Sequence, residues 1–221
     1  MRARLAVLSA LLAAPTLAWA GPESTAACHC FTNRTFDPAQ PAAADPYVLA
    51  TTRSSLLSAA YGVGKAGLVQ EVMTGTDPED LWVAYWAGAR TGKGAQALLA
   101  EKARLGSWKA AFGKAGAPGT GPAFQQALSR GGDASRLAAI AVDDVLATRM
   151  AVEPATLAAL RQARATNAEV VLATLLAPRL RVPATELLER FRSGKATWGM
   201  LLDEAGLKPK QIDGAIRQGM R

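Results

Sequence analysis

Histidine and cysteine are almost absent from this chain. Its 221 residues include one histidine and two cysteines, and all three stand together as Cys28-His29-Cys30. A serine–histidine–acid triad needs an available imidazole as its base, and a closed zinc site made of cysteine and histidine needs four ligands. The chain offers neither outside this cluster. We therefore expect a protein that is not an enzyme.

Long apolar runs are also missing after the first twenty residues. Those twenty residues have the organisation of a secretory signal, because Arg2 and Arg4 precede an apolar run from Leu5 to Ala14. That run is too short to span a bilayer. Ala18-Trp19-Ala20 is a small-x-small cleavage site. We predict cleavage after Ala20, export to the periplasm or beyond, and no transmembrane segment in the mature chain.

Acidic residues are outnumbered by basic ones. The formal net charge is +7, and it falls to +5 when the two arginines of the signal peptide are removed. The remaining charges are scattered along the chain, which is typical of a solvated surface. For an exported protein we expect an unidentified protein or cell-envelope partner, and we do not expect nucleic acid.

Sustained alternation of apolar and polar residues, which indicates strands, does not occur either. Short helices are indicated instead by their start and stop signals. Asp45-Pro46 and the segment Thr76 to Asp80 each combine a capping residue with proline in the first turn. Glu79 and Asp80 are then explained as acids near the positive end of a helix dipole. The predicted fold class is all-α.

One stretch of the chain recurs 89 residues later. Residues 56–89 align without gaps onto residues 145–178, and their apolar positions coincide. After a slip of one residue, Ser107-Trp108 aligns with Thr197-Trp198. This is the signature of a duplicated supersecondary unit. Gly113 to Pro122 holds four glycines and two prolines in ten residues, which predicts a flexible linker between the two units.

The predicted organisation therefore has four parts. A signal peptide covers residues 1–20, and an irregular leader that contains the cysteines covers residues 21–44. Two related multi-helix units follow, one over residues 45–117 and the other over residues 118–221, with the linker at their junction.

Cys28-His29-Cys30 carries the only unusual chemistry. Two thiolates with an imidazole between them are soft ligands suited to copper or zinc. Zinc would need further ligands, such as Asp37 or a second chain. In an oxidising compartment a disulfide is the favoured alternative, either between Cys28 and Cys30 or between chains. A third interpretation gives the cluster no special role.

Other candidate chemistry has simpler interpretations. Asp143 and Asp144 are adjacent on a predicted helix, so their side chains point about 100° apart and do not form an acid/base pair; we expect them on a solvated surface. Residues 194–212 are similar to a helix-turn-helix DNA reader, but export argues for a packing unit. Four tryptophans remain after residue 20, namely Trp82, Trp86, Trp108 and Trp198. They fall at apolar helix positions, where core packing is favoured over a ligand platform.

Several short elements carry a resemblance to known proteins. They are Cys28-His29-Cys30-Phe31 with Arg34, Asp45-Pro46-Tyr47 and Asp80 to Trp86, which reads DLWVAYW. Together they resemble a group of small exported bacterial proteins of uncharacterised function. The Gly-x-x-x-Trp-Gly element at residues 194–199 is similar to a segment of other secreted helical proteins. Neither resemblance implies an activity.

The sequence as a whole predicts an exported, non-enzymatic helical protein that binds or interacts with a partner in the periplasm or cell envelope. The alternative is a copper- or zinc-handling protein that uses Cys28, His29 and Cys30 as ligands.

Overall fold

The computed structural model describes residues 31–220, and helices account for most of that range. In chain order they are α1 (Asp45–Tyr61), α2 (Lys65–Met73), α3 (Pro78–Thr91), α4 (Ala95–Leu105), α5 (Trp108–Phe112), α6 (Pro122–Ser129), α7 (Ala134–Arg149), α8 (Pro154–Gln162), α9 (Asn167–Leu180), α10 (Ala184–Arg192), α11 (Trp198–Glu204) and α12 (Ile212–Gly219). A turn of 3-10 helix, Pro209–Gln211, precedes α12. Residues 31–220 contain no strand, so the all-α prediction is confirmed.

Two predictions fall on residues outside this range. The signal peptide and the cluster Cys28-His29-Cys30 both precede residue 31, so they stay predictions. Within the described part of the chain, no helix is both long enough and apolar enough to cross a membrane.

The helix starts follow the local chemistry of the sequence. The Asp77 side chain caps α3 by accepting a hydrogen bond from the Glu79 N–H, and Ser107 and Thr197 cap α5 and α11 in the same way. These side chains satisfy N–H groups that have no partner inside the helix. Asp45 differs, because it is the first residue of α1 and does not cap it.

One hydrophobic core runs through the helices of both predicted units. The four tryptophans after residue 20 lie in this core, and each is at most 2 % exposed, which confirms their prediction as core residues. α3 packs along α7, and α1 packs along α9 and α12. Each half of the chain therefore buries apolar surface against helices of the other half.

The glycine-rich connection between α5 and α6 is irregular but packed. Ala117 is buried, and its carbonyl accepts hydrogen bonds from the Thr120 hydroxyl and the Gln125 amide. Gly119 has φ +80°, and a Cβ at this position would lie 3.0 Å from the Arg90 carbonyl oxygen. The connection contacts α3 and α6, and the flexibility predicted for it stays a prediction.

Asp143 and Asp144 join α7 to two other helices. The Asp144 carboxylate accepts hydrogen bonds from the Arg90 guanidinium and, at 3.0 Å, from Trp86 Nε1. The Asp143 carboxylate pairs with Arg161 at 2.7 Å. The Asp143 and Asp144 side chains are 29 % and 31 % exposed, so they keep contact with solvent as expected, and each also lies at a helix contact where a basic side chain reaches it.

Glu79 and Asp80 also do more than favour the start of α3. Asp80 is 5 % exposed, and its carboxylate accepts hydrogen bonds from Trp108 Nε1 at 2.7 Å and from Lys102 Nζ. Glu79 pairs with Arg53 and accepts a hydrogen bond from the Asn167 amide. Capping alone was too narrow an interpretation, since both acids tie helices together.

Candidate functional site

Phe31, Arg34 and Tyr47, which belong to the short motifs noted in the sequence, meet at the first turn of α1. The Phe31 ring contacts the Tyr47 ring edge-on, with ring centroids 5.8 Å apart. The Arg34 guanidinium carbon lies 5.6 Å from the Tyr47 ring centroid, within range of a cation–π interaction, and Arg34 Nε donates a hydrogen bond to the Phe31 carbonyl at 2.9 Å. The chain that directly follows Cys28-His29-Cys30 is therefore held against α1.

A second anchor joins the leader to the start of α11. Asp45 Oδ1 accepts a hydrogen bond from the Gly199 N–H at 2.8 Å, and the Thr197 hydroxyl donates one to the Pro41 carbonyl at 2.8 Å. Burial raises the pKa of the Asp45 carboxyl, and the hydrogen bonds from the Gly199 and Trp198 backbone oppose that rise. The carboxylate thus joins the start of α1 to α11.

The leader approaches the backbone of Gly199 closely. A Cβ at this position would lie 3.3 Å from Phe36 Cδ2 and 3.3 Å from the Pro41 carbonyl oxygen. Trp198 beside it is buried and stacks on Phe191, with ring centroids 4.9 Å apart. Trp198 therefore anchors this element in the core, and Gly199, which has no side chain, lets Phe36 and Pro41 approach the start of α11.

A cleft opens between the two anchors, and we call it the leader cleft. Its volume is about 340 Å³. Thr35 and Phe36 form one wall, while α11 and the segment before α12 form the rest. The apolar residues that line it are Phe36, Leu202, Leu207 and Pro209, and the charged residues at its rim are Asp203 and Lys208.

A half-buried polar cluster lies where α3 and α9 begin. The Glu79 carboxylate is paired with Arg53 at 3.5 Å and bonded to the Asn167 amide. Burial raises the pKa of Glu79, and the charge of Arg53 opposes the rise. The Asn167 carbonyl oxygen has no hydrogen-bond partner within residues 31–220. This cluster connects the two halves of the chain, and its Arg53 and Glu79 side chains keep 17 % and 18 % of their surface exposed.

Lys65 lies beside two hydroxyl groups of α1. Its Nζ donates hydrogen bonds to Thr51 Oγ1 at 2.6 Å and Ser55 Oγ at 2.7 Å, and burial lowers the pKa of the amine. A lysine–serine pair is one way to activate a nucleophile. Ser55, however, is fully buried in the middle of α1. Since no substrate can reach it in this arrangement, we assign the contact to helix packing.

No metal-ligand cluster occurs within residues 31–220, where no three His, Cys, Asp or Glu side chains come close enough to hold an ion. Asp37, a candidate further ligand for zinc, accepts a hydrogen bond from the Ala39 N–H at 2.9 Å. Cys28, His29 and Cys30 lie outside the described residues, so copper or zinc binding and the alternative disulfide both stay predictions.

Comparison with known proteins identifies no relative. No family model matches the chain, no curated protein matches it, and no solved structure matches it. The similarity to small exported bacterial proteins therefore stays an expectation based on short motifs.

The leader cleft itself was not predicted. Its walls come from residues about 160 positions apart in the sequence, and no local pattern joins them. One signal does exist in the sequence, since Gly199 stands just inside a helix start where glycine has poor helix propensity. An interior helix glycine of this kind indicates close backbone packing.

Proposed function

We propose that this protein is an exported, non-enzymatic binding protein of the periplasm or cell envelope, and that it contacts its partner at the face around the leader cleft. The observation that carries the proposal is the double anchoring of the leader. Phe31 and Arg34 hold one end against Tyr47, and Pro41 and Asp45 hold the other against α11.

The anchors favour one arrangement of this face. A cation–π contact at an exposed site contributes about 0.5–1 kcal/mol, and each intramolecular hydrogen bond contributes about 0.5–1.5 kcal/mol. The anchors share a short segment, so their effects support one another. A preformed face binds a partner without a large ordering cost.

Site-specific crosslinking in living cells tests this proposal. A photoreactive amino acid placed at Asp203, at the rim of the cleft, should give a discrete crosslinked product in the periplasmic fraction. The same amino acid at Lys109, an exposed residue of α5, is the control. Equal products from both positions, or none from either, would contradict a partner site at the leader cleft.

The alternative function is copper or zinc handling by Cys28, His29 and Cys30. Three adjacent side chains with soft or borderline ligand atoms favour it. Metal content of protein purified under reducing conditions should fall when both cysteines are replaced by serine. An equal metal content in the two proteins would remove this alternative, and thiol titration would then test for the disulfide.

We further propose that the helical body is a duplicated unit, and the spacing of its helices supports this. α2 and α8 begin and end 89 residues apart, as do α3 and α9, and α4 and α10 begin 89 residues apart. α6 and α12 correspond at a spacing of 90 residues. This last pair groups α6 with the first unit and favours a division at residues 130–133 instead of after residue 117.

Backbone conformation at the helix ends supports the same proposal. Three residues other than glycine have positive φ within the described range, namely Ala151, Arg164 and Arg181. They stand 89 positions after Gly62, Gly75 and Gly92, which also have positive φ. Non-glycine residues rarely adopt this conformation, so a shared origin of these turns accounts for all three.

Reciprocal packing is a consequence of this interpretation. α7, the first helix of the second unit, packs along α3 of the first unit. α1, the first helix of the first unit, packs along α9 of the second. The two units exchange their first helices, which explains why one core serves both.

A further inference from the structure

We propose that the leader cleft binds an extended peptide segment of the partner protein, with one bulky apolar side chain in the cleft and charges of opposite sign on either side of it. This inference rests on the proposed function and specifies the chemistry of the partner. It follows from the volume of the cleft, the main-chain groups of Thr35 and Phe36 that make no hydrogen bond within residues 31–220, and the charges at the rim.

The size of the cleft fits a single large side chain. Its volume of about 340 Å³ is at the small end of the range of about 300–1,000 Å³ that ligand pockets occupy. Leu202 and Pro209 are buried, and Phe36 and Leu207 are half-buried around them. An aromatic or branched aliphatic side chain would cover this apolar surface, which the solvent otherwise reaches.

The wall formed by Thr35 and Phe36 has main-chain groups available for a peptide. Neither residue belongs to a helix, and their N–H and C=O groups make no hydrogen bond within residues 31–220. An extended peptide that lies along such a segment gains main-chain hydrogen bonds, while a side-chain pocket supplies specificity. The anchors on either side hold these groups in position.

The rim carries one acid and one base. Asp203 and Lys208 are exposed, and neither takes part in an ion pair within the described part of the chain. A purely anionic surface such as a phospholipid membrane would be repelled by Asp203. The apolar residues are also recessed and would not insert into a bilayer. A peptide with a basic residue on one side and an acidic residue on the other complements both charges.

Titration of the isotopically labelled mature protein, followed by amide chemical shifts, tests the inference. The probes are acetyl-Lys-Thr-Phe-Thr-Asp-amide and the peptide with its two charged residues exchanged, so that both orientations are covered. We expect saturable shifts at Phe36, Leu202 and Leu207 with at least one peptide. Replacing the phenylalanine of that peptide with alanine should weaken binding about tenfold or more, because the peptide then buries no aromatic side chain in the cleft.

Two protein variants make the test specific. Asp203→Lys should weaken binding of the better peptide up to about fivefold, as expected for an exposed charge pair. Glu189→Lys makes the same change of charge on an exposed residue of α10 outside the cleft and should leave binding unchanged. Circular dichroism of both variants checks that they fold.

Three outcomes would overturn the inference: no saturable shift with either peptide, equal binding of the alanine peptide, or shifts at the cleft caused only by vesicles of anionic phospholipid. If crosslinking at Asp203 still captured a partner in that case, the proposed function would stand and the peptide interpretation alone would fail.

Discussion

Replacing Arg181 with glycine should raise the free energy of unfolding by about 0.5–1 kcal/mol. Arg181 ends α9 in the left-handed conformation, with φ 55° and ψ 37°. That conformation costs a residue with a Cβ about 1–2 kcal/mol. Part of this gain is lost because glycine has more freedom in the unfolded chain, an effect of about 0.4–1 kcal/mol. The Arg181 side chain is exposed, so its removal adds little.

Gly92, which stands 89 residues earlier, gives the reciprocal substitution. Its φ is +72°, and a Cβ there would meet no atom within 4 Å. Gly92→Ala should therefore lower the free energy of unfolding through backbone strain alone, by about 1 kcal/mol. Opposite signs at these two aligned positions would support the left-handed conformation at both.

Urea unfolding followed by tryptophan fluorescence measures both effects, and each kcal/mol should move the midpoint of thermal unfolding by about 2–4 °C. Arg179→Gly is the matched control, because Arg179 lies inside the last turn of α9, where glycine destabilises a helix by about 1 kcal/mol. If Arg181→Gly destabilised the protein as much as Arg179→Gly, the left-handed conformation of Arg181 would be refuted.

Four further substitutions test other contacts. Gly199→Ala brings a Cβ to 3.3 Å from Phe36, so limited proteolysis should cut residues 31–44 faster than in wild type; an unchanged cutting rate would argue against the anchor. Burial raises the pKa of Glu79, so the ionised form is disfavoured in the folded protein. As the pH rises from about 4.5 to 7, the wild type should therefore lose stability relative to Glu79→Gln, and a parallel pH dependence in the two proteins would contradict this. Trp108→Phe removes a hydrogen bond to buried Asp80 and should cost about 1–3 kcal/mol. Trp198→Phe should cost less, because Trp198 Nε1 has no hydrogen-bond partner within the described residues; equal losses would count against the bond.

The contrast between the two tryptophans shows how aligned positions acquired different partners. Trp108 and Trp198 each occupy the first position of a short helix capped by a hydroxyl side chain. The indole of Trp108 reaches Asp80, whereas Trp198 stacks on Phe191. Local sequence places both rings in the core, and the neighbouring helices decide what each ring contacts.

The helices and most of their starts were predictable because they depend on local interactions. Proline in a first turn, a hydroxyl or carboxylate that caps N–H groups, and glycine after a last turn all act within a few residues. Asp77, Ser107 and Thr197 confirm this. Asp45 is the exception, since its carboxylate is used by Gly199 across the fold.

The candidate site was predictable only in part. Phe31, Arg34 and Asp45 belong to the short motifs that the sequence singles out, but nothing in their spacing indicates that Phe31 and Arg34 contact Tyr47 or that Asp45 contacts Gly199. The roles of the acids were less predictable still, because each of Glu79, Asp80 and Asp144 pairs with a residue more than 20 positions away.

The sequence by itself determined the helical class, most of the helix starts and ends, and the core positions of the tryptophans. The interactions that decide these features act over one or two helical turns. The tertiary structure alone decided that the two halves share a core, that buried acids link the helices, and that the leader borders a cleft. Those features depend on which apolar faces meet, and that choice is made by the burial of surface across the whole chain.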